Sequence, residues 1–181
     1  MNQLAQKIAP LSAPAVDLVV EIQQVLYREA RLLDAERYDE WVEMLAPDLH
    51  YFMPNMETRY RADKSNIIAD LKRAAYFNDN REDMLKRLDR LKTGTAWSED
   101  PATRFTHLIG NVEVELTETE SEYRVYSAFL LCRGRNESDE DIQVGKRKDL
   151  WRRTPDGLKL VQRTIHLNQN TLLSKNLNAF L

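Results

Sequence analysis

The chain has 181 residues, of which 43% are hydrophobic and 30% charged, and its formal net charge is -3. This length fits one domain, and this composition is typical of a globular protein rather than a disordered one. The small net charge gives no global basic surface for nucleic acid, and one cysteine excludes an internal disulfide and suits a reducing compartment. We find neither a signal peptide pattern nor an apolar run of roughly 18 residues, so we expect a soluble, cytoplasmic protein.

The pattern in the first part of the chain predicts helices. Residues 1–14 contain Pro10 and Pro14 and are predicted to form a loose arm on a single domain of residues 1–181. A helix follows from about Ala15, because apolar residues recur at helical spacing. They are Val19, Ile22, Leu26, Ala30 and Leu33. A second, shorter helix is predicted from Tyr38 to Leu45, and Pro47 ends it.

The middle of the chain mixes short elements. The aromatic run Leu49–Met53 predicts a strand that Pro54 closes, and residues 55–65 predict a loop. The apolar spacing within residues 67–75 suggests a helical segment. The polar run Asn78–Asn80 then supplies N-cap candidates for a helix that ends at Gly94.

From Thr103 onward the pattern changes to the two-residue period of strands, and hairpin-like turns separate them. Strands are predicted over 106–116, 123–134, 142–153 and 158–167. In the first of them the alternate residues Thr106 to Leu116 are expected to face the core, with His107 on the opposite face. The strand 123–134 is apolar on both faces, which predicts a central, well-covered strand. Helices first and strands later indicate an α+β fold, in which a curved antiparallel (mixed) sheet wraps around the N-terminal helices.

Residues able to bind a metal are few. The three histidines, His50, His107 and His166, lie in separate predicted strands, and no pair has ligand spacing. Cys132 follows an apolar strand face, which favours a packed thiol over a nucleophile. The sequence therefore predicts no metal ligand and no cofactor-binding residue in this chain.

An acid–base site is the stronger alternative. A curved sheet capped by helices forms a pocket, and there His107, with Tyr51 and Asp34 nearby, would be the general base of an isomerase, dehydratase or hydrolase. The simpler interpretation, which we favour, places His107 at solvent or at an interface.

A basic group on one strand is interpreted as solvent-facing charge rather than an anion site. It comprises Lys146, Arg147, Lys148, Arg152 and Arg153. A non-catalytic ligand-binding protein of the same shape is a third alternative.

Four stretches, in chain order, carry a resemblance to a known family. They are YREARLLDAERYDEWVEMLAPDLHYFMP (Tyr27–Pro54), RLKTGTAWSEDPATRFTHLIGNVEV (Arg90–Val114), GKRKDLWRR (Gly145–Arg153) and QRTIHLNQNTLLSKNLNAFL (Gln162–Leu181). Together they resemble the small (beta) subunit of aromatic-ring-hydroxylating dioxygenases, most closely the biphenyl, benzene and cumene type. Residues 55–76 and the acidic loop 136–141 depart from that pattern.

This resemblance implies a cone-shaped α+β fold like that of nuclear transport factor 2, scytalone dehydratase and ketosteroid isomerase. It also implies a hetero-hexamer of three large (alpha) and three small subunits, in which the partners of this chain are the large subunit and other copies of itself. In that family the large subunit carries a Rieske [2Fe-2S] cluster and a mononuclear non-haem iron, and NADH is the ultimate electron donor. The small subunit is then a structural component with no catalytic residue of its own. Six residues are our candidates for subunit contacts, because aromatic anchors are enriched in interface cores. They are Trp97, Asp100, Arg104, Phe105, Leu177 and Phe180.

Overall fold

The computed structural model describes residues 13–55, 75–92, 102–170, 172 and 179–181. Most of the predicted arm, the loop and helical segment over 56–74, and the corner 93–101 lie outside the described residues. The helices are α1 (Val16–Asp34), α2 (Tyr38–Val42) and α3 (Arg81–Lys92). The strands are β1 (Leu45–Pro54), β2 (Ala75–Asn80), β3 (Arg104–Leu116), β4 (Glu122–Arg135), β5 (Asp139–Thr154) and β6 (Gly157–Leu167).

The six strands form one mixed sheet in the order β2-β1-β6-β5-β4-β3. All neighbouring strands are antiparallel except β1 and β6, which run parallel. The parallel pair joins the first strand of the chain to the last, so the sheet brings the two halves of the sequence together. This arrangement confirms the predicted α+β class with a mixed sheet.

The core lies between the inner face of the sheet and the helices. On α1 the residues Ile22, Leu26 and Leu33 are buried, as their helical spacing predicts, while Val16 on the same helix is 75% exposed. Along β4 the inner residues Val125, Phe129 and Leu131 are buried too. Within the described part of the chain, no helix is long and apolar enough to cross a membrane.

Three predicted elements need correction. The second helix ends at Val42 instead of Leu45, and β1 begins at Leu45 and runs through Pro47. Strand β2 was not predicted at all: Ala75, assigned to a helical segment, opens it, and Asn78–Asn80 belong to it. The predicted cap still forms, because the Asp83 amide donates to Asn80 Oδ1 at 3.0 Å.

The predicted core face of β3 is wrong over its first half. A β-bulge between Gly110 and Glu113 shifts the register against β4, and Asn111 adopts a φ of 51° there. The extra residue reverses which residues point inward. Before the bulge His107 is buried and Leu108 is 61% exposed, whereas after it Val114 is buried as predicted.

Candidate functional site

The interior of the fold holds a buried group of ions, centred on Arg163 of β6. Its guanidinium donates to Glu29 on α1, with Nη2 to Oε2 at 2.7 Å and Nη1 to Oε1 at 2.9 Å. It also donates to Asp149 on β5, with Nη2 to Oδ2 at 2.7 Å and Nε to Oδ1 at 3.0 Å. Trp41 Nε1 adds a hydrogen bond to Glu29 Oε1 at 3.1 Å. One cation is thus held between two carboxylates from opposite sides of the core.

Electrostatics favour the charged forms in this group. Burial opposes ionisation of Glu29, yet the Arg163 charge and hydrogen bonds outweigh it and lower the pKa of Glu29. Burial likewise opposes the charge of Arg163, and Asp149 and Glu29 together raise its pKa above the ordinary value. A carboxylate that a buried arginine keeps ionised is a poor proton acceptor, so this group indicates a structural role rather than acid–base catalysis.

Arg147 was predicted to face solvent and is instead buried, which corrects that reading. It is 2% exposed, since odd-numbered residues of β5 point inward, while Lys146 and Lys148 are exposed as predicted. Its Nη1 lies 3.8 Å from Glu29 Oε2, and its guanidinium lies over the Phe129 ring. Within the described residues, its Nε and Nη2 have no hydrogen-bond partner. Burial and the neighbouring charge of Arg163 lower the pKa of Arg147 to about 10.

Residues 179–181 fill the space next to these ions. Phe180 is 6% exposed, and its ring lies 4.8 Å from that of Trp41 and 5.9 Å from that of Tyr38. Leu181 is fully buried, and its amide donates to Tyr51 Oη at 2.8 Å. The Leu181 carbonyl in turn accepts hydrogen bonds from Tyr51 and Arg163. The chain's own residues therefore occupy this part of the interior, and burial raises the pKa of Tyr51 to about 12.

His107 lies at the boundary between this interior and the surface. We favoured a position at solvent or at an interface, and the solvent-facing position is wrong, because the residue is 8% exposed. The position at an interface stays a prediction. Its Nδ1 is 2.6 Å from Asp34 Oδ1, and its Nε2 is 2.8 Å from the Phe180 carbonyl oxygen. Both partners are acceptors, so both contacts are hydrogen bonds only when both ring nitrogens carry a proton. The predicted proximity of Asp34 is confirmed, and Tyr51 is joined to His107 through the adjacent residues 180 and 181.

An open groove of about 370 Å³ lies between α1 and β3, next to this histidine. Tyr27, Arg31 and Asp34 line it from α1, and His107 and Ile109 line it from β3. The groove is the place where a small molecule could approach the histidine–carboxylate pair. The imidazole, however, already has both nitrogens engaged by groups of its own chain.

The candidate contact residues fall into three groups. Trp97, Asp100 and Leu177 lie outside the described residues. Arg104 is exposed at the first position of β3, and the half-buried Phe105 packs against the core. Phe180 packs inside its own chain, as described above. The interface role of all six residues remains a prediction.

Sequence reasoning missed the ion group, although its signals are present. Glu29 occupies a position between Leu26 and Leu33 on the apolar face of α1, where an unpaired charge would be costly. Asp149 and Arg163 stand at inward-facing positions of their strands, among buried apolar neighbours. Charges at three core positions predict mutual pairing.

In the described ranges no three histidine, cysteine or acidic side chains come together as a ligand set. His50 contacts Asn78 Oδ1 at 2.9 Å, and His166 lies on the outer side of β6. The part of the chain that the structure describes offers no residues that would fit an iron centre.

Comparison with known proteins agrees with this geometry. The family described as "Ring hydroxylating beta subunit" matches residues 28–174. The beta subunit of benzene 1,2-dioxygenase from Pseudomonas putida is 41% identical over 177 residues, which cover 97% of this chain and 93% of that protein. The beta subunit of biphenyl 2,3-dioxygenase from Rhodococcus jostii (strain RHA1) is 42% identical over 162 residues, covering 88% and 87%.

Solved structures give the same result. A chain of naphthalene 1,2-dioxygenase, solved with indole in the active site, superposes with a TM-score of 0.85 at 26% identity, covering 94% of this chain and 89% of that one. A scytalone-dehydratase-like protein from Novosphingobium aromaticivorans shares the fold at a TM-score of 0.62 and 15% identity, covering 85% and 86%. The predicted resemblance is confirmed in sequence and in fold: this chain belongs to the family of beta subunits of aromatic-ring-hydroxylating dioxygenases.

Proposed function

We propose that this chain is the structural subunit of a multicomponent dioxygenase that oxidises an aromatic hydrocarbon in the cytoplasm. In the proposed complex three copies join three large subunits. Each large subunit carries a Rieske cluster and a mononuclear iron, and electrons come from NADH. The contribution of this chain is to hold the large subunits in an arrangement through which electrons pass from one cluster to a neighbouring iron.

One observation carries this proposal: the interior of the fold is taken up by the chain's own groups. In related folds with chemistry, a pocket needs a free base and room for a substrate. Here Arg163 binds the buried carboxylates of Glu29 and Asp149, and Phe180 and Leu181 pack beside them. The benzene and biphenyl relatives are both named as beta subunits of dioxygenases, which supports a role in an assembly of the same kind.

Co-expression with the large-subunit polypeptide encoded beside it tests the proposal. We expect the two chains to co-elute as one large assembly, with all the iron in the large subunit. Purified alone, this chain should be colourless, iron-free and inactive on aromatic hydrocarbons. Stoichiometric iron in the isolated chain would contradict the proposal, as would a large subunit that assembles and turns over normally without it.

A second candidate function follows from the histidine–carboxylate pair at the groove. Asp34 holds His107 at 2.6 Å, and the groove of about 370 Å³ would admit a small molecule to an isomerase or dehydratase site. The test is turnover by the isolated chain, with His107→Ala as the variant and Thr106→Ala, on the opposite face of the same strand, as the control. Turnover that only His107→Ala abolishes would favour this function over the structural one.

A further inference from the structure

Arg147 on β5 presents one edge of its guanidinium to the interior without an acceptor. Among the residues that the structure describes, neither its Nε nor its Nη2 has a hydrogen-bond partner, although the residue is only 2% exposed. These two nitrogens form one side of the planar group, and their N–H bonds are parallel. We call this side the Arg147 edge. The remaining nitrogen, Nη1, lies outside it, 3.8 Å from Glu29 Oε2.

Arg163 on the neighbouring strand shows what such an edge binds. It uses the same two nitrogens for the Asp149 carboxylate, with Nε 3.0 Å from Oδ1 and Nη2 2.7 Å from Oδ2. Two parallel N–H groups match the two oxygens of a carboxylate, and this bidentate contact is both strong and directional. The Arg147 edge offers the same two donors. The ligand that suits it is therefore a planar oxyanion.

Ser127 adds a third donor beside the Arg147 edge. It is the register partner of Arg147 across β4 and β5, and both side chains are buried on the inner face of the sheet. Its hydroxyl oxygen is also buried, and no group in the described ranges bonds it. Directly opposed residues of an antiparallel pair have Cβ atoms about 4.5–5.5 Å apart. The hydroxyl and the guanidinium can therefore donate to the same small ion.

Charge favours an anion over a neutral ligand at this position. Burial and the neighbouring charge of Arg163 lower the pKa of Arg147 to about 10, so its guanidinium stays charged at neutral pH. Glu29 and Asp149 attract this charge, but Arg163 takes hydrogen bonds to both carboxylates. A buried charge is costly unless it is paired and hydrogen-bonded. A water molecule would satisfy the donors and leave the charge uncompensated, whereas an anion does both.

We propose that Arg147 and Ser127 form an internal binding site for a small planar oxyanion, of the class of formate, nitrate and bicarbonate. The Arg147 edge holds two oxygens of the ion, and the Ser127 hydroxyl donates to it as well. The site binds the ion and carries out no reaction on it. This inference goes beyond the proposed function and does not rest on it, because all the donors belong to one chain.

The open groove between α1 and β3 is the entrance to this site. Ala30 lines the groove and follows Glu29 on α1, and Ile109 on the opposite wall is the register partner of Phe129. The guanidinium of Arg147 lies over the Phe129 ring, 5.0 Å from its centroid. The groove and the Arg147 edge thus have neighbours in common on the helix and on the sheet.

Thermal unfolding of the 181-residue chain in sodium formate tests the proposal. We expect formate to raise the melting temperature of the wild type by a few degrees and to reach saturation. The ceiling on affinity per non-hydrogen atom places the dissociation constant at about a millimolar or weaker. Arg147→Met removes the donors, so its melting temperature should follow only the general effect of salt. In a buffer without small oxyanions this variant should be about as stable as the wild type.

Two further arginine variants separate the bidentate contact from charge alone. Arg153→Met is the matched control, because Arg153 lies on the same strand and pairs with Glu21 at the surface. It should keep the saturable formate response of the wild type. Arg147→Lys retains the positive charge but loses the parallel donors, and it should weaken formate binding at least about tenfold. Wild-type affinity in Arg147→Lys would overturn the predicted bidentate geometry.

Carbon-13 NMR of labelled formate measures binding directly. The formate signal should broaden in the presence of the wild type, and nitrate should reverse the broadening by competition. Chloride has no pair of oxygens, so it should compete much less at the same concentration. Ser127→Ala removes one donor and should weaken formate binding about fivefold or more. Formate binding that Ser127→Ala leaves unchanged would remove the serine from the site, and chloride competing as well as nitrate would contradict a planar ligand.

The outcomes separate this inference from the proposed function. If formate stabilises the wild type no more than it stabilises Arg147→Met, the inference is wrong, because water or a carboxylate of the chain itself then satisfies the Arg147 edge. Co-elution with the large subunit is a separate measurement, and Arg147→Met should still co-elute. A wild-type chain that binds formate but never co-elutes would sink the proposed function and leave the anion site standing.

Discussion

Two buried arginines on neighbouring strands differ in how well they are compensated. Arg163 donates hydrogen bonds to both Glu29 and Asp149, whereas Arg147 makes a longer contact, with its Nη1 3.8 Å from Glu29 Oε2. Removing one partner of a buried ion pair is costly because the other charge stays behind unpaired. We expect Arg163→Met to lower the free energy of unfolding by about 3–5 kcal/mol, measured by urea denaturation.

Arg147→Met should instead change the free energy of unfolding by less than about 1 kcal/mol, because a poorly partnered buried cation contributes little. Methionine would also retain packing against the Phe129 ring. Arg153→Met is the surface control, since that arginine pairs with Glu21 where both side chains are more than 40% exposed. Equal losses for the Arg163 and Arg147 variants would contradict the different roles assigned to them.

The lowered pKa of Glu29 predicts how the stability of the folded protein depends on pH. Its ordinary value is 4.5; burial raises the pKa, but the Arg163 charge and hydrogen bonds outweigh burial and place the folded-state value below 4.5. The ionised form therefore stabilises the folded protein above about pH 4.5, and this stabilisation is lost as the pH falls through the folded-state pKa. At neutral pH, urea denaturation should give the wild type a clearly higher free energy of unfolding than Glu29→Gln. This difference should become smaller in acid. Glu21→Gln removes one partner of an exposed ion pair, so its free energy of unfolding should differ little from that of the wild type at every pH.

At the scale of elements, one glycine lets two strands and a ring approach closely. A Cβ on Gly145 of β5 would lie 2.6 Å from the His166 carbonyl oxygen and 2.7 Å from the Phe129 ring. We expect Gly145→Ala to lower the free energy of unfolding by about 1–3 kcal/mol, since backbone must shift to admit the methyl group. Gly134→Ala on β4 is the matched control, because nothing lies within 4 Å of its Cβ position. A variant as stable as that control would show that the sheet adapts freely.

The elements that the sequence predicts well are those with long, regular periods. The apolar stripe of α1 and the inner residues of β4 agree with the structure because burial of one face determines both. Which residues of β3 point toward the core could not be predicted in the same way, since the bulge at Asn111 inserts one residue and reverses the alternation. Strand β2 is short, and its ladder with β1 comes from tertiary pairing rather than from local pattern.

The candidate site was predictable in part. The proximity of Asp34 to His107 follows from placing α1 across β3, and the structure brings the two together. The occupation of the interior by Phe180 does not follow from any local pattern, because the contacts with Tyr38 and Trp41 span about 140 residues of sequence. Long-range contacts of that kind leave no periodic signal.

At the scale of the whole molecule, residues 179–181 connect parts of the chain that are far apart in sequence. Phe180 contacts α2 through its ring and β3 through the His107 hydrogen bond. Leu181 bonds Tyr51 of β1 and Arg163 of β6. These contacts join both halves of the sheet to the helices, in addition to the parallel pairing of β1 with β6. We infer that the core unfolds as one cooperative unit.

Phe180→Ala tests that inference. Loss of the buried ring leaves a cavity between Tyr38 and Trp41, and we expect the free energy of unfolding to fall by about 3–5 kcal/mol. Circular dichroism and tryptophan fluorescence should still report one coincident transition, because the connections through Leu181 remain. Val16→Ala, at a 75% exposed position, should change the stability by less than about 0.5 kcal/mol. Two separate transitions in the Phe180→Ala variant would mean that helices and sheet are stable independently, and that residues 179–181 only bridge them.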